Sequence, residues 1–325
     1  MGRMVAFGSG AKRICLAFSI LCFLPFAALA QEDKTILLVP GDSDNLMGTI
    51  ASVMQPGLET ALDHPVEIAT VIGERGGLAQ DILGRVPADG STLLVAELLT
   101  RAIDEAMPDS GQETHLSSLT PILKLAQGVS VALVVRADSP FKTFMDLEAE
   151  AQERTLSIAT SGKRTSSGVA LAMIAKRLNL PFAFSSRPTL GAILRDVDSG
   201  VADAAIIFTR VLTFPAIKGD YRALITFGAE RSPLLRSAVP TLAELSGDRK
   251  DAFTTSVALF GPPAMDPDKA LSLATAFFRG VSADKAVMEA AVASGADIIL
   301  KDSDVVEKTM ARDANVVQRV LPLLQ

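Results

Sequence analysis

Hydroxyl and basic side chains are concentrated in one glycine-bounded segment, TSGKRTSSG, at residues 160–168. The apolar run LSIA before it is typical of a strand, and VALAMIAKRL after it has helical spacing. A polar turn at the start of a helix presents free backbone N–H groups, which together with hydroxyls suit a carboxylate. Taken alone, the segment fits equally well an ordinary polar turn in which a serine caps the helix.

Two other segments have the composition of ligand-contacting turns. PGDSDN, at Pro40–Asn45, leads from an apolar strand into a helical stripe, and Ser43 or Asp44 is expected to cap that helix. ERGG, at Glu74–Gly77, either approaches a ligand by its backbone or simply turns the chain. Each turn therefore has a functional and a purely structural interpretation.

The residue patterns that most enzymes need are not found. His64 and His115 are the two histidines, and the sequence contains neither a G-x-S-x-G nor an H-E-x-x-H pattern. Lys163 follows the first glycine of its segment rather than the second, so the segment is not a P-loop. A pair of carboxylates for hydrolysis stays open, although nothing favours one. We expect no catalytic residue, no metal and no cofactor.

The N-terminal segment has the pattern of a cleavable signal peptide. Basic residues precede the apolar run ICLAFSILCFLPFAALA, which ends in an A-x-A cleavage site. The two cysteines lie in this segment, and Leu21 before Cys22 disfavours a lipoprotein signal. The expected mature chain begins near Gln31 in the periplasm, and its formal charge changes from −6 to about −9. Such an acidic protein is not expected to bind nucleic acid or an anionic membrane surface.

The rest of the chain alternates between strand and helix patterns. TILLVPG, VEIATVI and STLLVAEL are strand-like runs separated by helical stripes, and the alternation resumes at LSIATSG. It predicts an α/β protein with mostly parallel sheets, whose ligand lies beyond the carboxyl ends of the strands. Two strand-like runs, PILKLAQGVSVALVV and SVALFGPP, are expected to cross between two lobes and form a hinge. The expected divisions are a signal peptide at 1–30, lobe 1 at 31–130 plus 255–325, and an inserted lobe 2 at 131–254.

Several segments, in order, resemble the periplasmic solute receptors of the tripartite tricarboxylate transporters. VPGDSDNLMGTIASVMQPGLETAL is similar to the first loop and helix of that family, and VIGERGGLAQDILGRVPADGSTLLVA to its glycine turn and the strand that follows. LSIATSGKRTSSGVAL comes next in family order. YRALITFGAERSPLLRSAVPTLAEL is the most specific segment, because it matches the family's R-A-L … R-S … V-P-T-L-x-E run nearly in full. The resemblance covers essentially all of residues 34–325.

The resemblance implies a two-lobed, Venus-flytrap periplasmic binding protein for small carboxylates. In this family, backbone N–H groups and hydroxyls of two loops hold the ligand carboxylate, often through ordered water. Carried over to this chain, the implied ligand-binding residues are Gly41, Ser43, Asp44, Gly76, Gly77, Ser161, Thr165 and Ser166. Ser43 and Thr165 are expected to bind the ligand through their hydroxyls.

The pocket residues depart from the family pattern. The first loop is shorter, with Asp42 and Ser43 before Asp44, where relatives usually have paired glycines and a Thr-Asp. Arg187 stands where a tyrosine is common, just before a helix of the second lobe. It is either a solvated surface residue or a bidentate clamp on a second ligand carboxylate. Arg187 is therefore added to the expected ligand-binding residues.

Three functions are compatible with the sequence. The first is a periplasmic solute-binding protein, expected to be a monomer, that delivers a small carboxylate to the membrane subunits of a tripartite transporter. The second is a receptor on the same fold that signals to a sensor kinase, and the third is an enzyme on an α/β scaffold. Neighbouring genes would separate the first two, and binding without turnover would reject the third. The sequence does not identify the ligand.

Overall fold

The computed structural model describes residues 34–73, 76–107, 111–236, 238–294 and 298–324. The expected signal peptide, and Glu74 and Arg75 of the ERGG turn, lie outside these ranges. The strands are β1 (Thr35–Pro40), β2 (Val66–Val71), β3 (Thr92–Glu97), β4 (Thr120–Val129), β5 (Val131–Arg136), β6 (Leu156–Thr160), β7 (Phe182–Ser186), β8 (Ala204–Phe208), β9 (Tyr221–Thr226), β10 (Thr255–Gly261) and β11 (Lys301–Asp302). The α-helices are α1 (Leu46–Leu62), α2 (Gly77–Leu83), α3 (Leu98–Glu105), α4 (Phe144–Glu153), α5 (Ser166–Arg177), α6 (Leu190–Asp198), α7 (Leu242–Ser246), α8 (Pro267–Ser282), α9 (Lys285–Ser294) and α10 (Ser303–Leu324). Within the described ranges, no helix is long and apolar enough to cross a membrane.

The first sheet has the strand order β11-β4-β10-β3-β1-β2. Its strand β1 is parallel to both β2 and β3. Leu37 and Val39 share a buried cluster with residues of α1, and Leu38 shares another with residues of α2. A continuous apolar run such as TILLVP is what a strand covered on both faces requires.

The second sheet has the strand order β7-β6-β8-β5-β9. Its strand β6 is parallel to β7 and β8, whereas β5 is antiparallel to β8 and β9. In the first sheet, β10 is likewise antiparallel to β3 and β4. The expectation of mostly parallel sheets is therefore corrected to mixed sheets. Parallel pairs form where a helix connects neighbouring strands, while β5 and β10 enter from the other sheet in the opposite direction.

The chain passes from the first sheet to the second at Ser130, between β4 and β5, and returns to the first at β10. We name the part built on the first sheet lobe 1 and the part built on the second lobe 2. This two-lobed α/β architecture agrees with the expected fold class. The expected bounds, 31–130 plus 255–325 and 131–254, stay a proposal, and β1–β4, β10 and β11 fall on one side of them.

The last helix, α10, contacts both lobes. It packs against α3 of lobe 1 and against α5 of lobe 2. Val316, Val317 and Val320 of α10 are buried in one cluster with Leu99 and Ile103 of α3. The C-terminal helix therefore joins the lobes rather than belonging to lobe 1 alone.

Candidate ligand-binding site

The two polar loops expected from the sequence have the same local structure, one in each lobe. Residues 41–48 lead from β1 into the first turn of α1, and residues 161–168 lead from β6 into the first turn of α5, with the same succession of bend, turn and helix. In each loop the fifth residue caps the helix and accepts a hydrogen bond from the N–H of a glycine three residues on. The two helix N-termini thus carry the same cap geometry, and the first residues of both helices, where the positive dipole ends lie, line one cavity.

Asn45 caps α1, so the expectation that Ser43 or Asp44 does so is wrong. The Asn45 Oδ1 accepts from the Gly48 N–H over 2.9 Å, and its Nδ2 donates to the Pro40 carbonyl over 2.8 Å. A carboxylate cannot donate, so Asp44 could not close the loop from both sides. The Ser43 hydroxyl instead donates to Asp44 Oδ1 over 3.0 Å, and both side chains are exposed.

The glycine that ends each loop permits a close backbone approach. A Cβ on Gly48 would lie 2.2 Å from the Ser43 carbonyl oxygen, and a Cβ on Gly168 would lie 2.1 Å from the Gly162 carbonyl oxygen. Real Cβ atoms do not approach an oxygen this closely, so any other residue would push the loop away from its helix. Both loops therefore depend on glycine at the same position.

A cavity of about 140 Å³ lies between the two loops. Five of the nine expected ligand-binding residues line this cavity: Gly41, Gly76, Ser161, Thr165 and Ser166. The first residues of α1 and α5 line it as well, as do residues of β3, β8, α3 and α6. The structure therefore brings together, around one space, segments that are far apart in the chain.

The other four expected residues lie outside the cavity wall. Ser43 and Asp44 are bonded to each other, and the Gly77 carbonyl accepts from Gln112 Nε2 over 3.2 Å. Arg187 forms an ion pair from its Nε to Asp196 Oδ2 over 2.7 Å, and its Nη1 donates to the Ser186 carbonyl. These four assignments remain predictions, and the contacts just described do not support them.

Three hydroxyls of the second loop bond to one another. Ser161 Oγ lies 2.8 Å from Ser167 Oγ and donates to Thr165 Oγ1 over 3.1 Å. Thr165 Oγ1 in turn donates to the Gly162 carbonyl over 2.7 Å. Because a hydroxyl has a single proton, Thr165 has none left for a ligand in this arrangement. Ser161 has likewise donated its proton, to Thr165, whereas either atom can be the donor in the contacts of Ser167 with Ser161 and Thr165. A ligand carboxylate can therefore recruit Ser167 directly, and it can recruit Ser161 in exchange for the bond from Ser161 to Thr165.

Glu97 lies at the base of the cavity and joins the lobes. Its Oε1 accepts from the Ser166 hydroxyl of lobe 2 over 3.0 Å, and its Oε2 accepts from the Thr100 N–H over 3.0 Å. The Ser166 N–H donates to Thr100 Oγ1 over 3.1 Å. Burial raises the pKa of the Glu97 carboxyl, and its hydrogen bonds to Thr100, Thr255 and Ser166 act in the opposite direction.

The sequence interpretation missed Glu97, although a signal for it existed. Glu97 is the last residue of the fully buried strand β3, at the carboxyl end where open α/β sheets hold their ligands. An acidic residue that ends such a run is a candidate for the site on position alone.

A buried polar network supports the lobe 1 side of the cavity. Arg101 lines the cavity and is 2% exposed; its Nε donates to Gln80 Oε1 over 2.8 Å, and its Nη2 donates to Gln112 Oε1 over 2.8 Å. Asp104 Oδ2 lies 3.2 Å from Arg101 Nη2, and Asp104 Oδ1 lies 3.9 Å from Arg164 Nη1 of the second loop. This network connects the lobes beside the cavity. The described residues contain no cluster of histidine, cysteine, aspartate and glutamate that could hold a metal ion.

These features, two lobes around a cavity flanked by equivalent helix N-termini, define a periplasmic binding protein fold. The chain belongs to the tripartite tricarboxylate transporter receptor family, TctC, whose profile matches residues 50–323. Protein BugT of Bordetella pertussis is 26% identical over 283 residues, which are 86% of this chain and 84% of BugT. A UPF0065 protein from the tcbD–tcbE intergenic region of a Pseudomonas species is 26% identical over 215 residues, 65% of this chain and 62% of that protein. The latter match thus spans less than two thirds of the Pseudomonas protein.

Solved structures share the fold. The periplasmic binding protein BugD has a TM-score of 0.78 at 16% identity, over 90% of this chain and 97% of BugD. MatC of Rhodopseudomonas palustris, solved with bound malate, has a TM-score of 0.73 at 20% identity, over 87% of this chain and 99% of MatC. Rpa4515 of R. palustris, solved with adipate, has a TM-score of 0.76 at 18% identity, over 90% of this chain and 97% of that one. The expected family and two-lobed fold are confirmed, and the family is one of receptors.

Proposed function

We propose that this protein is a periplasmic solute-binding protein that captures a small carboxylate between its lobes. The observation that carries the proposal is the pair of equivalent loops, whose helix N-termini line one cavity together with the hydroxyls of the second loop. Helix N-termini favour anions through the dipole and through unpaired N–H groups. Membership in a receptor family supports a binding role, and the malate and adipate held by MatC and Rpa4515 support a carboxylate ligand.

The cavity limits the size of the ligand. A single water requires roughly 10–15 Å³ of such space. The 140 Å³ between the loops therefore holds roughly ten groups of water size, which corresponds to a small organic acid. The proposed contact set is the five lining residues expected from the sequence, with Glu97 and Ser167 added. The ligand is then handed to the membrane subunits of a tripartite transporter, the partner that the family description names.

A carboxylate entering the cavity completes interactions that neither lobe offers alone. Loop 41–48 comes from lobe 1 and loop 161–168 from lobe 2. A ligand that bonds to both is held best when the lobes are close together, so binding favours the closed form by its differential contacts. Release to the transporter requires the reverse motion.

A ligand screen tests the proposal. Purified mature protein is heated with malate, adipate, citrate, aromatic acids and amino acids, and hits are titrated by calorimetry. A ligand at 100 times its Kd adds about 2.7 kcal/mol to the free energy of unfolding, which a thermal shift detects. Failure of every carboxylate to bind, or chemical turnover of a bound one, would contradict the proposal.

A matched pair of serine variants locates the site. We expect Ser161→Ala to weaken binding by about 10- to 150-fold, since a hydrogen bond to a charged group contributes about 1.5–3 kcal/mol. Ser43→Ala removes the same atom from an exposed position outside the cavity wall, and we expect it to leave the affinity unchanged. Equal losses in the two variants would place the ligand elsewhere.

A further inference from the structure

Part of the cavity wall on the lobe 2 side is apolar. Val131 of β5, Leu190 and Ile193 of α6, Phe208 of β8 and Val211 of the 3-10 helix after it all line the cavity. These side chains come from four different elements. A ligand that is polar at every position, such as a short hydroxylated polyacid, would place polar groups in contact with these apolar side chains. The wall therefore favours a ligand with an apolar body.

Asp42 lies in the wall on the opposite side. It belongs to the loop of lobe 1, lines the cavity and is half-buried. Its Oδ1 is buried and has no hydrogen-bond partner among the residues that the structure describes. A carboxylate oxygen in this position requires a donor, and it opposes a second negative charge nearby. Among the residues of the two loops, all of which the structure describes, Asp42 is the one with a buried side-chain oxygen that lacks a hydrogen-bond partner.

The two loops differ in charge at equivalent positions. Ser43 and Asp44 of the first loop correspond to Lys163 and Arg164 of the second. With Asp42, the lobe 1 loop has two acidic side chains, whereas the lobe 2 loop has two basic ones. Of these four charged side chains, Asp42 lines the cavity, so the others act on a ligand through the field of their loops and not by contact.

We propose that the site takes a zwitterion: an α-amino acid with an apolar side chain. Its carboxylate lies at the hydroxyls and helix N-terminus of the second loop, and its side chain packs on Leu190, Ile193 and Phe208. Its ammonium pairs with the Asp42 carboxylate, whose full negative charge outweighs the partial positive charge at the N-terminus of α1. This inference rests on the proposed function and narrows its ligand class. A dicarboxylate fits less well, because its second carboxylate would lie between Asp42 and an apolar wall.

A comparison of two ligands and three proteins tests the proposal. The ligands are L-leucine and isocaproate, which differ by the α-ammonium alone, with L-phenylalanine and hydrocinnamate as a second pair. The proteins are the wild type, Asp42→Asn and Asp44→Asn, each titrated by calorimetry. We expect the wild type to bind the amino acid at least about tenfold more tightly than its deaminated analogue. Asp42→Asn should abolish this preference and bind isocaproate as well as the wild type does, or better, and this retained binding also reports that the variant is folded.

Asp44→Asn is the matched control, because Asp44 is exposed, lies two residues from Asp42 and is outside the cavity wall. It should keep the wild-type preference, and loss of the preference in this variant too would overturn the assignment to Asp42. Equal wild-type affinity for L-leucine and isocaproate, or tighter binding of malate or adipate than of any apolar amino acid, would overturn the inference and leave the proposed function standing. Failure of every acid in the panel, amino acids included, would overturn both.

Discussion

At the scale of single residues, the Thr165 hydroxyl holds its loop to its helix. It accepts from the Gly168 N–H over 3.2 Å, donates to the Gly162 carbonyl over 2.7 Å, and is 3% exposed. Replacing an N-cap threonine by alanine costs about 0.5–2 kcal/mol, so we expect Thr165→Ala to lower the free energy of unfolding by that amount. Thr165→Ser keeps the hydroxyl and should therefore retain most of the wild-type free energy of unfolding. Urea unfolding of both variants is the measurement, and equal losses would assign the effect to the methyl group instead.

Arg187 is engaged with its own lobe. Its ion pair with Asp196 and its bond to the Ser186 carbonyl direct the guanidinium along β7 and α6, outside the cavity wall. We expect Arg187→Lys to leave the affinity for the tightest diacid and for its monoacid analogue unchanged, and to cost at most about 1 kcal/mol of stability. Arg195→Lys is the control, because Arg195 is exposed and lies on α6, the helix that carries Asp196. A loss of affinity confined to the diacid would establish the clamp that the sequence suggested.

Single residues show what a sequence can and cannot predict of a site. Ser161, Thr165 and Ser166 were predictable as cavity residues, because polar glycine-bounded turns after a strand expose their side chains at a helix start. The sequence could not predict that Thr165 has no spare proton, because this depends on the position of the Gly162 carbonyl, which accepts that proton. The contact between Glu97 and Ser166 could not be predicted either, because it joins two lobes whose residues are far apart in the sequence.

At the scale of elements, the two loops have the same local structure, and each requires the glycine at its end. We expect Gly48→Ala and Gly168→Ala each to cost about 1–3 kcal/mol, the range of an overpacked site, because the new Cβ meets a backbone oxygen. The shift should also weaken ligand binding, since the moved loop lines the cavity. Thermal unfolding and calorimetry of both variants are the measurements.

Gly191→Ala provides the control for these substitutions. Gly191 is in α6. A Cβ added to it would have Arg195 Nη1 as its nearest heavy atom, at 3.4 Å, which is an ordinary contact distance. Alanine there should raise stability by about 0.5–1 kcal/mol through helix propensity. If the Gly168→Ala protein proves as stable as the Gly191→Ala protein, the close approach of loop and helix would be refuted.

The sequence predicted the elements better than their arrangement. Apolar runs located β1 and β6, and helical stripes located α1 and α5, because burial on both faces or on one stripe leaves a period in the sequence. The direction in which β5 and β10 join their sheets leaves no such period. The sequence also did not determine which residue caps α1. Serine, aspartate and asparagine are all common N-cap residues, and of Ser43, Asp44 and Asn45 it is Asn45 that forms hydrogen bonds with both Pro40 and Gly48.

At the scale of the whole molecule, the lobes meet through polar contacts, one shared helix and two buried apolar clusters that include residues of both lobes. Ser166 bonds to Glu97 and Thr100 across the base of the cavity, and α10 packs on α3 and α5 together. The sequence predicted two lobes and a hinge, but not this joining helix, because an apolar stripe does not say which elements it covers. Contacts of this kind can shift when a ligand enters between the loops, which suits a protein that must open to release it.

The buried carboxyl of Glu97 makes the stability of the molecule depend on pH. Its pKa is raised by burial, so the stability it contributes is fully present below the ordinary glutamate pKa of about 4.3 and is lost as pH rises through the raised value. Glu97→Gln fixes an uncharged side chain, and its stability relative to the wild type should therefore increase from about pH 4 upward, by about 1.4 kcal/mol for each unit of pKa shift, and then become constant. Urea midpoints of the two proteins between about pH 4 and 8 are the measurement, with exposed Glu153→Gln controlling for the loss of one negative charge. Parallel pH profiles for Glu97→Gln and the wild type would show that folding does not raise this pKa, and that Ser166 and Thr100 stabilise the charge across the lobe contact as well as water does.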